Sequence, residues 1–96
     1  MIAAKEVTID FSGCKNWVEV HELIKNKLEL PEFYGCNLDA LWDAITGLMY
    51  VPANIKIIFK PETVAAQKLA GEIERIISVF KEAEQEYNQI KLTVEK

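Results

Sequence analysis

The run IKIIF, Ile55 to Phe59, decides the architecture. Ile55, Ile57, Ile58 and Phe59 form a dense segment of strand-forming residues, the pattern of a strand buried between two neighbours. Two other segments carry the looser alternation of a strand with one buried face. Val7, Ile9 and Phe11 alternate with Glu6, Thr8 and Asp10, and Ile90, Leu92 and Val94 alternate with Lys91, Thr93 and Glu95. The dense run belongs at the centre of the sheet and the alternating runs at its sides, with their polar residues on an uncovered face.

Working outward, two helical segments separate the first strand from the second. Trp17, Val20, Ile24 and Leu28 mark the first, and Asn37 opens the other. After the central strand, Pro61 is suited to the start of a short helix, and Gly71 divides it from a longer one. The stripe Ile73, Ile76, Ile77, Phe80 and Tyr87 carries that longer helix to Asn88. The order β, αα, β, αα, β requires crossovers too long for hairpins, so the sheet is parallel. Two right-handed crossovers moving the same way give strand order 1-2-3 with every helix on one face. The expected fold class is α/β, a two-layer, three-stranded parallel sheet with about four helices, and residues 1–96 form a single domain.

Composition narrows the function. Half of the 96 residues are hydrophobic, enough for a core without metal or disulfide support. A net charge of -4 and a pI near 5.0 argue against binding to nucleic acid or an anionic membrane, both of which need clustered Lys and Arg. No window approaches the roughly 18 apolar residues of a membrane span, and the N-terminus does not read as a secretion signal. A cytoplasmic location is expected, with Cys14 and Cys36 as reduced, inert thiols.

Charge is distributed unevenly. Between Leu28 and Ile55 there are four carboxylates and no Lys, Arg or His. Asn37 is a good N-cap, and Gly47 supplies a stop, so a helix is expected between them. At about 100° per residue, Leu38, Leu41, Ile45, Leu48 and Met49 gather on its core side. Asp39, Asp43 and Thr46 share a neighbouring side, and Trp42 falls at the boundary. The helix dipole accounts for Asp39 in the first turn. It does not account for Asp43, which repels Asp39 at i+4 by about 0.2 to 0.5 kcal/mol in an isolated helix. An acidic face kept against that cost suits a basic partner, although a merely solvated face has the same composition.

Catalytic patterns are thin. His21 is the only histidine and lies on or beside the apolar stripe of the first helix, where a packed side chain is expected. Asp39 and Asp43 lack the glycine-bearing acidic loop of a calcium site, and Gly13, Gly35, Gly47 and Gly71 are too scattered for a phosphate loop. No enzyme activity and no cofactor are expected.

The segment LPEFYGCNLDALWDAITG (30–47), with Pro52 shortly after it, strongly resembles the barstar family, cytoplasmic inhibitors of secreted bacterial ribonucleases of the barnase type. The shared motif has the form LPxxYGxNLDALWD followed by TG. The resemblance implies that the Asn37 helix and the loop before it cover the nuclease active site, with Asp43 standing in for the substrate phosphate. It makes Asp39 the second helix acid, Trp42 its companion, and Thr46 and Gly47 contacts at the helix end. Asn37 and Leu38 line the approach, and Glu82, in VFKEAE, is the acid presented from the long fourth helix. It further implies competitive inhibition, a basic secreted ribonuclease as partner, and a monomer when free.

Some positions depart from the family pattern. Phe33 stands in place of a tyrosine, Leu48 and Met49 in place of a tryptophan and a valine, and Tyr50 in place of an acid. Phe33 and Leu48 are therefore rim contacts of altered shape, and they bear on which nuclease is bound. Two other readings use the same residues: an interaction or immunity domain for a different basic protein or a non-RNase effector, and, more weakly, a metal-dependent enzyme using Asp39 and Asp43.

Overall fold

The computed structural model describes residues 5–30, 37–48, 53–86 and 90–96. Three strands, β1 (Lys5–Asp10), β2 (Ala53–Ile58) and β3 (Ile90–Glu95), form one parallel sheet in the order β1-β2-β3. Val7 pairs with Ile55 and Ile55 with Leu92, while Ile9 pairs with Ile57 and Ile57 with Val94. This register lines the apolar residues of all three strands on one face. Ile9, Ile55 and Ile57 are almost wholly excluded from solvent there, while Glu6, Thr8, Asp10, Lys91, Thr93 and Glu95 are exposed. The expected α/β class and strand order are those observed. The dense central run divides between the faces: Ile55, Ile57 and Phe59 are buried, and Ile58 is half-buried on the open side between Asp10 and Glu95.

Helix α1 (Trp17–Leu28) begins at Asn16, whose side-chain oxygen accepts from the Glu19 amide at 2.9 Å. The Glu19 carboxylate in turn accepts from the Lys15 amide at 2.9 Å, so the helix start is closed from both directions. It ends at Glu29, in the left-handed conformation (φ 55°), and the following Leu30 amide donates to the Lys25 carbonyl. Val20, Ile24 and Leu28 turn inward.

Helix α2 spans Leu38–Asp43, α3 spans Val64–Gln67 and α4 spans Ala70–Glu86. Two expected boundaries shift. Pro61 precedes α3 without opening it, because the Thr63 hydroxyl caps the Ala66 amide at 3.0 Å and fixes the start one residue after Thr63. Gly71 falls in the first turn of α4, and the break from α3 is the turn at Lys68 and Leu69. Helix α4 is described as far as Glu86, and its expected continuation through Tyr87 to Asn88 lies outside the described residues.

Ile73, Ile76, Ile77, Phe80 and Ala83 of α4 enter the same core as Leu41 of α2 and the inner face of the sheet. The sheet ends are tied by side chains as well. Ser12 Oγ accepts from the Lys60 amide at 2.8 Å, and Asp10 accepts from the Ser12 amide at 2.9 Å. Hydrogen bonding from the Ser12 hydroxyl and amide to Asp10, with a smaller contribution from the charge of Lys60 and against partial burial, holds the Asp10 carboxyl below its ordinary value. At the other side of the sheet, the Glu84 carboxylate accepts from the Leu92 amide at 2.7 Å and joins α4 to β3.

His21 is fully buried and meets the Trp17 ring edge to face, with centroids 4.1 Å apart. Burial lowers its pKa from the ordinary 6.5, opposed in part by the charge of Glu72. The folded chain therefore binds this proton less readily than the unfolded chain. The stability His21 permits is complete above about pH 6.5 and declines as pH falls toward the lowered folded-state value. We expect the unfolding free energy from urea denaturation to drop between pH 6.5 and 5, by at most about 1.4 kcal/mol per pH unit from this group. In His21→Leu that part of the slope should vanish; an unchanged slope would mean that His21 does not control it.

Candidate functional site

The acidic helix is built on a short capped frame. Asn37 adopts an extended backbone, and its side-chain oxygen accepts from the Ala40 amide at 2.7 Å while its carbonyl accepts from the Leu41 amide at 2.9 Å. Asp39 in the first turn is favoured by the free amides there. Leu41, Ala44 and Ile45 are buried, Leu38 and Trp42 pack half-buried against the core, and Asp39 and Asp43 are exposed. The indole fills the boundary position expected of it, with one part on the core and one part accessible.

The helix does not continue to Gly47 in α form. After Asp43 the chain enters a π turn, Ala44–Leu48, and Gly47 is part of that turn. A π turn closes hydrogen bonds over five residues and is wider than an α turn, so spacing at 100° per residue holds from Leu38 to Asp43 and not beyond. The shared side of Asp39 and Asp43 therefore stands, and the placement of Thr46 by the same arithmetic does not. Thr46 is half-buried, and its hydroxyl donates to the Trp42 carbonyl at 2.6 Å. Sequence periodicity held no signal for the π turn.

Helix α2 and the π turn both pack on α4, the helix that carries Glu82. Glu82 is exposed there, whereas its neighbour Glu84 is half-buried and committed to the Leu92 amide. Glu82 and Glu84, both on α4, are thus placed differently, a distinction that arises only when β3 docks. Of the other expected contacts, Phe33 lies outside the described residues, as do Met49 and Tyr50, and Gly47 and Leu48 are placed by their backbone in the π turn.

Among the described residues, no three His, Cys, Asp or Glu side chains come together as a metal-ligand group. Cys14 is buried, and that burial, helped by Glu19 and Asp10, raises its thiol pKa, which works against thiolate chemistry. Cys36 lies outside the described residues. Among the described residues, no helix is long and apolar enough to cross a membrane. The open side of the sheet forms a shallow groove lined by Glu6, Thr8, Asn54, Lys56, Lys91 and Thr93, and Lys56 there is ion-paired with Glu95 at 3.4 Å.

A three-stranded parallel sheet with paired helical crossovers, one of them exposing Asp39 and Asp43, defines an α/β protein. Residues 4–95 match the family described as Barstar (barnase inhibitor). A Bacillus subtilis (strain 168) protein named "Putative ribonuclease inhibitor YrdF" is 30% identical over 92 residues, covering 95% of this chain and 99% of that protein. The chain belongs to the barstar family.

The cap provides a check on the local frame. Asn37→Ala should lower folding stability by about 1 kcal/mol, read from urea denaturation, and Asn37→Asp should restore most of it. If Asn37→Ala unfolds at the native midpoint, the side-chain cap does not hold α2.

Proposed function

We propose that this chain is a protein inhibitor of a barnase-type ribonuclease that blocks the enzyme's active site with α2. The observation that carries the reading is the exposed pair Asp39 and Asp43, one turn apart on a capped helix, in a segment from Glu29 to Asn54 that contains no basic residue. A ribonuclease cleft is built to hold RNA phosphates with cations and hydrogen-bond donors. A carboxylate offered on a capped helix satisfies the same groups through charge-assisted hydrogen bonds. Asp43 takes the role of phosphate mimic, Asp39 supports it, Trp42 supplies the adjacent apolar edge, and Glu82 adds an acid from α4. Asn37, Leu38, Thr46 and Gly47 complete the contact surface, with Phe33 and Leu48 at its rim. Inhibition is competitive and needs no cofactor, and the chain acts in the cytoplasm as one domain and, when free, as a monomer. Membership of the barstar family supports the reading at the level of a ribonuclease partner.

The role of Asp43 has a direct test. Removing one partner of a buried, hydrogen-bonded charge pair costs about 2 to 5 kcal/mol in binding, a range to which barnase with barstar itself contributed. Asp43→Ala should fall within it, mainly through faster dissociation, with the urea midpoint nearly unchanged. Binding within twofold of the native chain would remove Asp43 from the role.

Salt separates steering from contact. Raising ionic strength from about 50 to 500 mM shortens the Debye length from roughly 14 to 4 Å, so the association rate with a basic ribonuclease should fall steeply while dissociation changes much less. Stopped-flow association rates that ignore salt would mean that the acidic surface does not guide the encounter.

A further inference from the structure

Asp43 is the last α residue of α2, and the π turn begins at the next residue. Across this changeover the Thr46 hydroxyl donates to the Trp42 carbonyl at 2.6 Å. That carbonyl and the amide nitrogen of Asp43 belong to one planar peptide unit. A bond that fixes the carbonyl direction therefore fixes the plane from which the Asp43 Cα and side chain project. Ser78 makes the same kind of bond to Glu74 at 3.0 Å within the unbroken length of α4, so a hydroxyl bonded four residues back does not by itself produce a π turn. At Thr46 the bond is shorter and spans the point where helical spacing changes. There the backbone has two competing hydrogen-bond registers, over four residues and over five, and a side-chain latch has the most to decide.

We propose that Thr46 is a positioning residue for Asp43: its hydroxyl, latched to the Trp42 carbonyl across the α-to-π changeover, holds the Trp42–Asp43 peptide plane and so aims the Asp43 carboxylate at a cationic partner site. This rests on the reading of Asp43 as phosphate mimic and adds to it the device that sets its direction. Recognition of a phosphate-binding cleft tolerates only about 0.5 Å and 10–20° of error in such a group, and α2, with six residues, is too short to enforce that alone. Thr46 is uncharged, so the latch leaves long-range attraction untouched and acts on the docked complex.

The test is a double-mutant cycle with barnase as the probe, using the native chain, Thr46→Val, Asp43→Ala and the double variant, with Thr46→Ser as the rescue. Thr46→Val keeps the shape and removes the hydroxyl. It should speed dissociation about fivefold or more and leave association within about twofold, while Thr46→Ser should return both close to native. In the Asp43→Ala background the same Val substitution should change dissociation by less than about twofold, because nothing remains to be aimed. An equal effect in both backgrounds, or no effect in the native one, overturns the latch as a positioning device. The Asp43→Ala arm judges the functional reading separately: unchanged binding there sinks that reading. A partner-free arm covers a native chain that fails to bind barnase, or a Val variant that folds poorly. Amide exchange at residues 44–48 should quicken in Thr46→Ala and recover in Thr46→Ser, and exchange indifferent to the hydroxyl overturns the latch.

Discussion

Burial of one face of β2 is the constraint on which the other elements depend. Ile55 and Ile57 are shielded on that face by the helical layer and at their edges by β1 and β3. Because the three strands run parallel, each passage from one to the next must climb over the sheet and return to its starting end, and that crossover supplies the helices which cover the face. A single requirement, the exclusion of water from a few central isoleucines, thereby accounts for where α1, α2 and α4 lie. It also leaves the opposite face polar, where Ile58 is sheltered only in part between Asp10 and Glu95.

The acidic surface is a by-product of that layering. Helix α2 turns Leu41 into the core, and residues on its outer side cannot reach it. Asp39 and Asp43 therefore face solvent, with no basic residue nearby in the chain to neutralise them. Packing of α2 on α4 brings a second acid-bearing helix into the same layer, with Glu82 exposed. Repulsion among such charges lowers stability slightly in the free protein, and under the proposed function it would become attraction when a cationic cleft arrives. The cost is small because water screens exposed charges, and the gain grows as water is excluded from the docked surface.

The groups best able to do chemistry elsewhere are buried in the framework. His21 lies inside the core against Trp17, held neutral by burial, and Cys14 is held as a thiol by the same cause. Both make the core sensitive to conditions without offering a reactive atom to solvent. Ser12, Asp10 and Glu84 spend their polar atoms on backbone amides at the ends and edge of the sheet, where strand pairing alone leaves donors unmet.

Strand placement, sheet order and the buried stripes of α1 and α4 were legible in the sequence because they follow from periodicity and from the length of the crossovers. So was the acidic side of α2, since Asn37 fixes where the helix starts and Asp39 and Asp43 lie within its first turns. Helix limits were less legible: Thr63 outcompeted Pro61 as the start of α3, and Gly71 was absorbed into α4, because a cap's hydrogen bond decides such boundaries and composition only suggests them. The π turn at Ala44–Leu48, the Thr46–Trp42 hydrogen bond, and the different placement of Glu82 and Glu84 belong to the tertiary structure. Each depends on which backbone donor or acceptor a side chain meets after the layers have packed, and a one-dimensional pattern carries the spacing of residues but not the partner each polar atom will find.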